Sequence, residues 1–455
     1  MNFRSLIWIF PFLLFSGLSA QQAIDELLYQ IVDAASPQRL EADIQTLVNF
    51  GTRHTLSDTV SQTRGIGAAR RWMHAEFGRI SEECGGCLEV SFQRNLVEGD
   101  PETRIKEDTW VVNVLAVQRG TVYPNRYVIV SGDIDSRVSD PLDGTSDSPG
   151  ANDNASGLAG TIEAARLLSQ YSFPTSIIYV GLSGEEQGLY GGKGLAEYAR
   201  EQEWDIIGVL NNDMIGNITG VDGVTDNTSF RIFSEPNYPN EGDRDRIWRR
   251  FFGGEVDGPS RQLARYVHRL TEQYSTNLQP MMIYRLDRFG RGGHHRPFND
   301  AGFPGIRIME THENYVRQHQ DLRTEDGIEY GDVIEGVDFD YCAKLTGVNA
   351  ITLAALASAP PPPAQLQIGG AVQASTRLRW DAPANSAEVA GYKVYWRATT
   401  SPTWDNSRFF PAETTNVTLD NIVVDNYFFG VATVGLDGSE SLVVFPTSLI
   451  PRGIR

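Results

Sequence analysis

The sequence predicts an α/β domain followed by a small all-β domain. Two observations set the first: short β-branched apolar runs alternate with stretches of helical periodicity, and acidic residues stand directly after several of those runs. A third sets the boundary. The segment Ala359-Pro360-Pro361-Pro362-Pro363-Ala364 reads as an extended polyproline linker, and beyond it the pattern changes to regularly spaced short strands. The expected organisation is a leader over 1–20, the α/β domain over 21–358, a linker over 359–364 and a β-sandwich over 365–455.

In chain order, residues 1–20 combine Arg4, an apolar stretch over 6–15 and the small-residue ending Ser19-Ala20. That is the pattern of a secretory signal peptide cut after Ala20, too short for a membrane span. A secreted or periplasmic protein is therefore expected. No other apolar run is long enough to cross a bilayer. Residues 24–35, 40–48 and 68–80 have helical periodicity, and 88–92 and 110–117 read as strands.

The chemistry begins at the next strand. Residues 127–130 (YVIV) run into Ser131-Gly132-Asp133-Ile134-Asp135-Ser136-Arg137, where Asp133 and Asp135 share a face at period 2. Asp153 lies in Gly150-Ala151-Asn152-Asp153-Asn154-Ala155-Ser156-Gly157, at a loop-to-helix junction before the helical stretch 158–168. The buried run 176–182 delivers Glu185 and Glu186 to the end of a strand, where open α/β sheets bind ligands. Neighbouring like charges are costly unless a cation or a proton task separates them. One carboxylate can hold a metal while the other takes a proton from water; most Glu-Glu pairs are instead solvated surface. The run 206–210 ends in Asn211-Asn212-Asp213, and the strand-like stretch 305–309 precedes His319. Acidic groups at several strand ends plus one late histidine form a hard-to-borderline metal site. Residues 261–274 and 341–357 complete the domain as helices.

The ordered series GDID, GANDNASG, SGEEQG, NNDMIG, RGGHHRPF and RQHQD resembles the secreted co-catalytic zinc aminopeptidases, whose relatives include glutamate carboxypeptidases and glutaminyl cyclases. The resemblance spans residues 23–358. It implies a three-layer α/β/α fold with a mixed central sheet, and two zinc ions sharing a bridging Asp153. Glu186 and His319 would hold one ion, Asp213 the other, and Glu185 would be the general base.

The chain departs from that pattern at Asp133, where the family normally carries a histidine oriented by the residue at Asp135. An aspartate cannot donate a hydrogen bond to Asp135 unless one of the two is protonated. The first metal site becomes Asp133, Asp153 and Asp213, all oxygen, leaning toward magnesium, manganese or calcium. The second, Asp153, Glu186 and His319, is complete for zinc plus a water. Relatives usually have an aspartate where His294 stands. The two exchanges are either compensating, with His294 reaching the metal or balancing charge, or independent drifts. His295 is expected to line the pocket, with further walls from the irregular, charged stretch 217–260, a lid or a surface ornament.

His54, His74, His268 and His312 are expected in surface or packing roles, and Tyr284, Asp287 and Arg291 in an ion-paired loop. Beyond the linker, strands are expected over 377–380, 392–397, 416–419 and 427–433. Trp380 and Gly391-Tyr392-Lys393-Val394-Tyr395-Trp396 resemble a fibronectin type III module. Its expected role is that of a spacer or stabilising appendage, or of a contact with a surface or glycan.

The net charge of −19 over 455 residues argues against nucleic acid or anionic membrane as partner. Of three cysteines, Cys84 and Cys87 are expected to form a small-loop disulfide, with Cys342 free and buried. The expected function is an exported metallo-exopeptidase, of aminopeptidase type, acting on peptides with a free N-terminus. The alternatives are a catalytically impaired pseudopeptidase that binds without cleaving, and a single-zinc enzyme like the glutaminyl cyclases.

Overall fold

The computed structural model describes residues 16–236 and 241–451. Of the expected leader, residues 1–15 lie outside the described residues. The helices are α1 (Ser16–Val32), α2 (Pro37–Val48), α3 (Gly65–Glu83), α4 (Gly157–Leu168), α5 (Glu185–Gly188), α6 (Tyr190–Glu201), α7 (Asp243–Phe252), α8 (Pro259–Tyr274), α9 (His295–Asp300) and α10 (Phe339–Ser358). An eight-stranded sheet runs through them. Its strands are β1 (Leu88–Val97), β2 (Thr109–Gln118), β3 (Tyr123–Asp133), β4 (Thr175–Leu182), β5 (Asp205–Asn212), β6 (Ser229–Phe233), β7 (Gln279–Ile283) and β8 (Gly305–Glu310).

Strand order is β1-β2-β4-β3-β5-β8-β6-β7. The central four, β4, β3, β5 and β8, are mutually parallel, and antiparallel neighbours flank them. Alternation along these strands splits the core between two faces, as period 2 requires. Val128, Val130, Ile177, Tyr179 and Leu210 pack with α1, α2, α4, α8 and α10. Tyr127, Ile129, Ile178, Val180 and Val209 pack with α6 and α9. The result is three layers with a mixed sheet in the middle.

The stretch 217–260 is less irregular than its composition suggests. It contains β6, a strand of the central sheet, and α7, which buries none of its residues. No described helix is long and apolar enough to cross a membrane. Cys84 and Cys87 are joined as a disulfide, and Cys342 is free and buried.

α10 ends at Ser358, and β11 (Ala364–Gly369) begins five residues after Ala359. With β12 (Thr376–Asp381), β13 (Val389–Ala398), β14 (Asn406–Pro411), β15 (Asn416–Leu419), β16 (Tyr427–Gly435) and β17 (Ser448–Leu449) it builds two sheets, ordered β15-β12-β11-β17 and β14-β13-β16. Trp380, Tyr392, Val394, Phe429 and Val431 fill the space between them. The proline segment does not leave this unit free to swing. Asp257 accepts from Arg265 at 2.8 Å and from Arg397 of β13 at 2.7 Å, with all three side chains almost fully buried. Tyr266 Oη donates to the Glu440 carbonyl at 2.9 Å, and Trp404 Nε1 to Gln262 at 3.3 Å.

Candidate metal centre

Register builds the site. Asp133 lies opposite Leu182 across β3–β4, and Gly132 opposite Asn212 across β3–β5. Residues 133, 182 and 213 therefore stand abreast at the C-terminal ends of three parallel strands. The chain leaves β3 for β4 on one side and returns with β5 on the other, which makes this rim the switch point of the sheet. A Cβ on Gly132 would sit 2.5 Å from the Gly157 backbone. Glycine thus admits the close approach of α4, whose leading loop carries Asp153 over the strand ends. At Gly184, φ is +75°, a left-handed turn that glycine makes without strain. It swings Glu185 and Glu186 toward the rim. Asp135 fixes that turn, accepting from the backbone N–H of Glu185 at 3.2 Å and of Glu186 at 3.0 Å, and from Thr55 Oγ1 at 3.1 Å.

Three side chains then converge. His319 Nε2 lies 2.8 Å from Glu186 Oε1 and 3.0 Å from Asp153 Oδ2, and among the described residues these form the group whose ligand atoms all fall within 4.8 Å of one another. Arg137 Nε donates to the other Glu186 oxygen at 2.7 Å, and its NH2 lies 2.7 Å from His319 Nδ1. Gln318 Nε2 donates to Asp153 Oδ2 at 3.0 Å. Asp332 holds the Asp153 backbone N–H at 2.7 Å. One imidazole and two carboxylates with an open fourth direction are the donor set of a three-ligand zinc site, so these residues fit a zinc ion.

Electrostatics separate the carboxylates. Burial acts to raise the pKa of Asp153, and His319 with Gln318 outweighs it, holding the carboxyl below its usual range. Burial likewise opposes His319 at Glu186, and the imidazole, with help from Arg137, keeps this group low as well. Glu185 goes the other way. Burial, then the charges of Glu186, Asp213, Asp133 and Asp153, push it well above the ordinary value. Divergent pKa values in one cluster are how acid and base tasks are divided.

Asp133 and Asp213 are turned to other partners. Asp133, 2% exposed, accepts from Asn154 Nδ2 at 2.8 Å and lies 2.6 Å from His294 Nδ1. Burial raises the Asp133 pKa well above the ordinary value and lowers that of His294 to about 4. The two exchanged residues thus meet each other as a buried hydrogen-bonded pair. Asp213 Oδ2 lies 2.9 Å from NH2 of Arg307, a fully buried guanidinium whose NH1 reaches both oxygens of Asp287 at 3.1 Å.

A cavity of about 1010 Å³ opens above the cluster. Asp153, Glu185, Glu186, Asp213 and His319 face it; Asp133, Asp135 and His294 lie behind. His295, expected on the pocket wall, is fully buried instead, with Nε2 2.8 Å from the Leu286 carbonyl oxygen. The walls do not come from 217–260 either. They come from the turn around Arg104, from the segment after Glu186, and from the residues around Arg291. Asp287, expected in an ion-paired loop, is in one, although a buried one.

Sequence reading gave no role to Arg137, Gln318, Asp332 or Arg307. Arg307 carried a usable signal, since a lone arginine inside the buried run Gly-Ile-Arg-Ile-Met-Glu needs a carboxylate partner. The others are identified by contacts between residues far apart in the chain.

A His–carboxylate donor set at the switch point of a mixed α/β sheet, with a raised glutamate beside it, defines a metal-dependent hydrolase site. Residues 113–335 match peptidase family M28. The chain is 42% identical over 427 residues to a probable zinc metalloprotease of Leptosphaeria maculans, covering 93% of this chain and 97% of that one. It is 40% identical over 428 residues to a probable zinc metalloprotease of Pyrenophora tritici-repentis, covering 93% and 88%. Among solved structures, the LapA aminopeptidase of Legionella pneumophila shares the fold at a TM-score of 0.52 and 17% identity, over 73% of this chain and 75% of that one. The chain belongs to peptidase family M28, together with these zinc metalloproteases.

Proposed function

We propose that the protein is an exported metallo-exopeptidase of aminopeptidase type, working with zinc held by Asp153, Glu186 and His319. The observation that carries this reading is the convergence of those three ligand atoms within 4.8 Å on the floor of a cavity that Glu185 also faces. Zinc at that place supplies Lewis acidity toward the scissile carbonyl and makes a nearby water more acidic. Glu185 takes the proton of the attacking water and returns it to the leaving amine. Arg137 holds the Glu186 oxygen that does not face His319, and Asp135 holds the backbone on which both glutamates are mounted.

The anionic floor of Asp153, Glu185, Glu186 and Asp213 complements the ammonium of a free peptide N-terminus. The test compares zinc-loaded protein on an aminoacyl substrate and on its N-acetylated counterpart. Cleavage confined to the free amine supports the aminopeptidase reading; equal cleavage of both removes it. Export by the leader over 1–20 agrees with the Cys84–Cys87 disulfide, a bond of oxidising compartments. The C-terminal sheets, resembling fibronectin type III, act as a brace on α8, which the buried Arg265–Asp257–Arg397 cluster supports.

A further inference from the structure

We infer that Arg307 is a fixed cation built into the centre in place of a second metal ion, so that Asp213 anchors this guanidinium and the centre takes one zinc. The inference rests on the zinc site proposed above and sets its ion count.

Five carboxylates, Asp133, Asp153, Glu185, Glu186 and Asp213, meet at one rim. Such a cluster needs positive charge close by. His319 and the zinc it helps to hold serve Asp153 and Glu186. On the far side the positive charge comes from the protein. Arg307 sits on β8, opposite Asn211 of β5, two residues short of Asp213 along the rim. Its guanidinium is fully buried, with NH2 at 2.9 Å from Asp213 Oδ2 and NH1 at 3.1 Å from both oxygens of Asp287 and from the Gly292 carbonyl. Arginine stays protonated in proteins, so this charge is permanent. A divalent ion on Asp213 would have to displace or repel it. Asp133, the other carboxylate expected at such an ion, is engaged by His294 and Asn154. Neither Asp133 nor Asp213 joins the group of convergent ligand atoms.

The experiment is zinc per chain by elemental analysis, after zinc loading and dialysis, on the full chain and on Asp213→Asn and His319→Ala. The expected counts are one, one and none. Two equivalents in the parent chain, with one retained in Asp213→Asn, overturn the inference while leaving the zinc site proposed above intact; a single equivalent that is lost in Asp213→Asn overturns both. No zinc in the parent chain overturns that site and this inference together. The role of Arg307 is read separately, by thermal stability across Arg307→Met, Asp213→Asn and the double variant. Asp213→Asn should recover part of the melting-temperature loss caused by Arg307→Met. Purely additive losses would show that the two are not each other's counterion. Should Arg307→Met fail to fold, the zinc count of Asp213→Asn still decides.

Discussion

Glu185→Gln isolates the proposed proton carrier from everything that positions it. The change keeps the shape of the side chain, and the contacts that fix this residue's backbone, its N–H to Asp135 at 3.2 Å and its carbonyl accepting from the Leu189 N–H at 3.1 Å, do not involve the side chain. A positioned general base contributes roughly 10²–10⁴-fold, which at about 1.36 kcal/mol per decade is about 2.7–5.4 kcal/mol of barrier. Turnover on an aminoacyl substrate should fall by that factor while zinc per chain stays unchanged. Stability should move the opposite way. A carboxyl whose pKa is raised in the folded state is one whose charged form the fold disfavours, so at neutral pH Glu185 costs stability. Burial and four neighbouring carboxylates are the causes here. In the metal-free protein the glutamine variant should therefore melt no lower than the parent. Retention of more than a tenth of the parent turnover, measured with zinc content confirmed, would refute the assignment of Glu185 as base.

Other consequences follow from the same contacts. In Asp135→Asn, an amide replaces a carboxylate that accepts from two backbone N–H groups and Thr55; urea unfolding should show a loss of about 1–3 kcal/mol, and an unchanged midpoint would remove Asp135 from the positioning of the turn. Asp257→Asn leaves Arg265 and Arg397 buried against each other without their shared carboxylate, a loss of about 3–5 kcal/mol that should also expose the C-terminal sheets to limited proteolysis. At Asp287, burial raises the pKa but Arg307, His295 and Arg288 outweigh it, bringing it from 3.8 to about 2. Because the folded value is the lower one, the stabilisation is present above pH 4 and is lost as pH falls toward 2. The difference, 3.8 − 2 = 1.8 units, is worth about 2.4 kcal/mol at about 1.36 kcal/mol per unit. The stability gap between parent and Asp287→Asn should shrink from pH 5 to pH 3, and a constant gap would show that the charge of Asp287 is not what its partners hold.

Much of the fold was legible because the strands that matter are buried on both faces and therefore apolar throughout. The runs at 127–130, 176–182 and 206–210 became β3, β4 and β5, and their C-terminal ends could be placed from the acidic residues that follow. What escaped is polar or isolated. β6 is short, carries the charge of Arg231 and lies in a stretch rich in loop-forming residues, while α7 buries none of its residues and sets Phe252 partly against the C-terminal core. At the site, Asp153, Glu185, Glu186, Asp213 and His319 could be named from motifs, since each follows a strand or opens a helix. Their division of labour could not. Whether Asp213 meets a metal or an arginine depends on Arg307, 94 residues further along, and whether Asp133 stands alone depends on His294, 161 residues away. His295 follows a motif position suited to a pocket wall, yet the turn before α9 points it inward to the Leu286 carbonyl. Tertiary placement, which local pattern does not encode, made these choices.

The most direct measurement is an anomalous diffraction map of zinc-loaded crystals, collected across the zinc absorption edge. The account predicts a single peak enclosed by Asp153 Oδ2, Glu186 Oε1 and His319 Nε2. No peak there, or a peak held by Asp213 and Asp133 with Arg307 displaced, would contradict it.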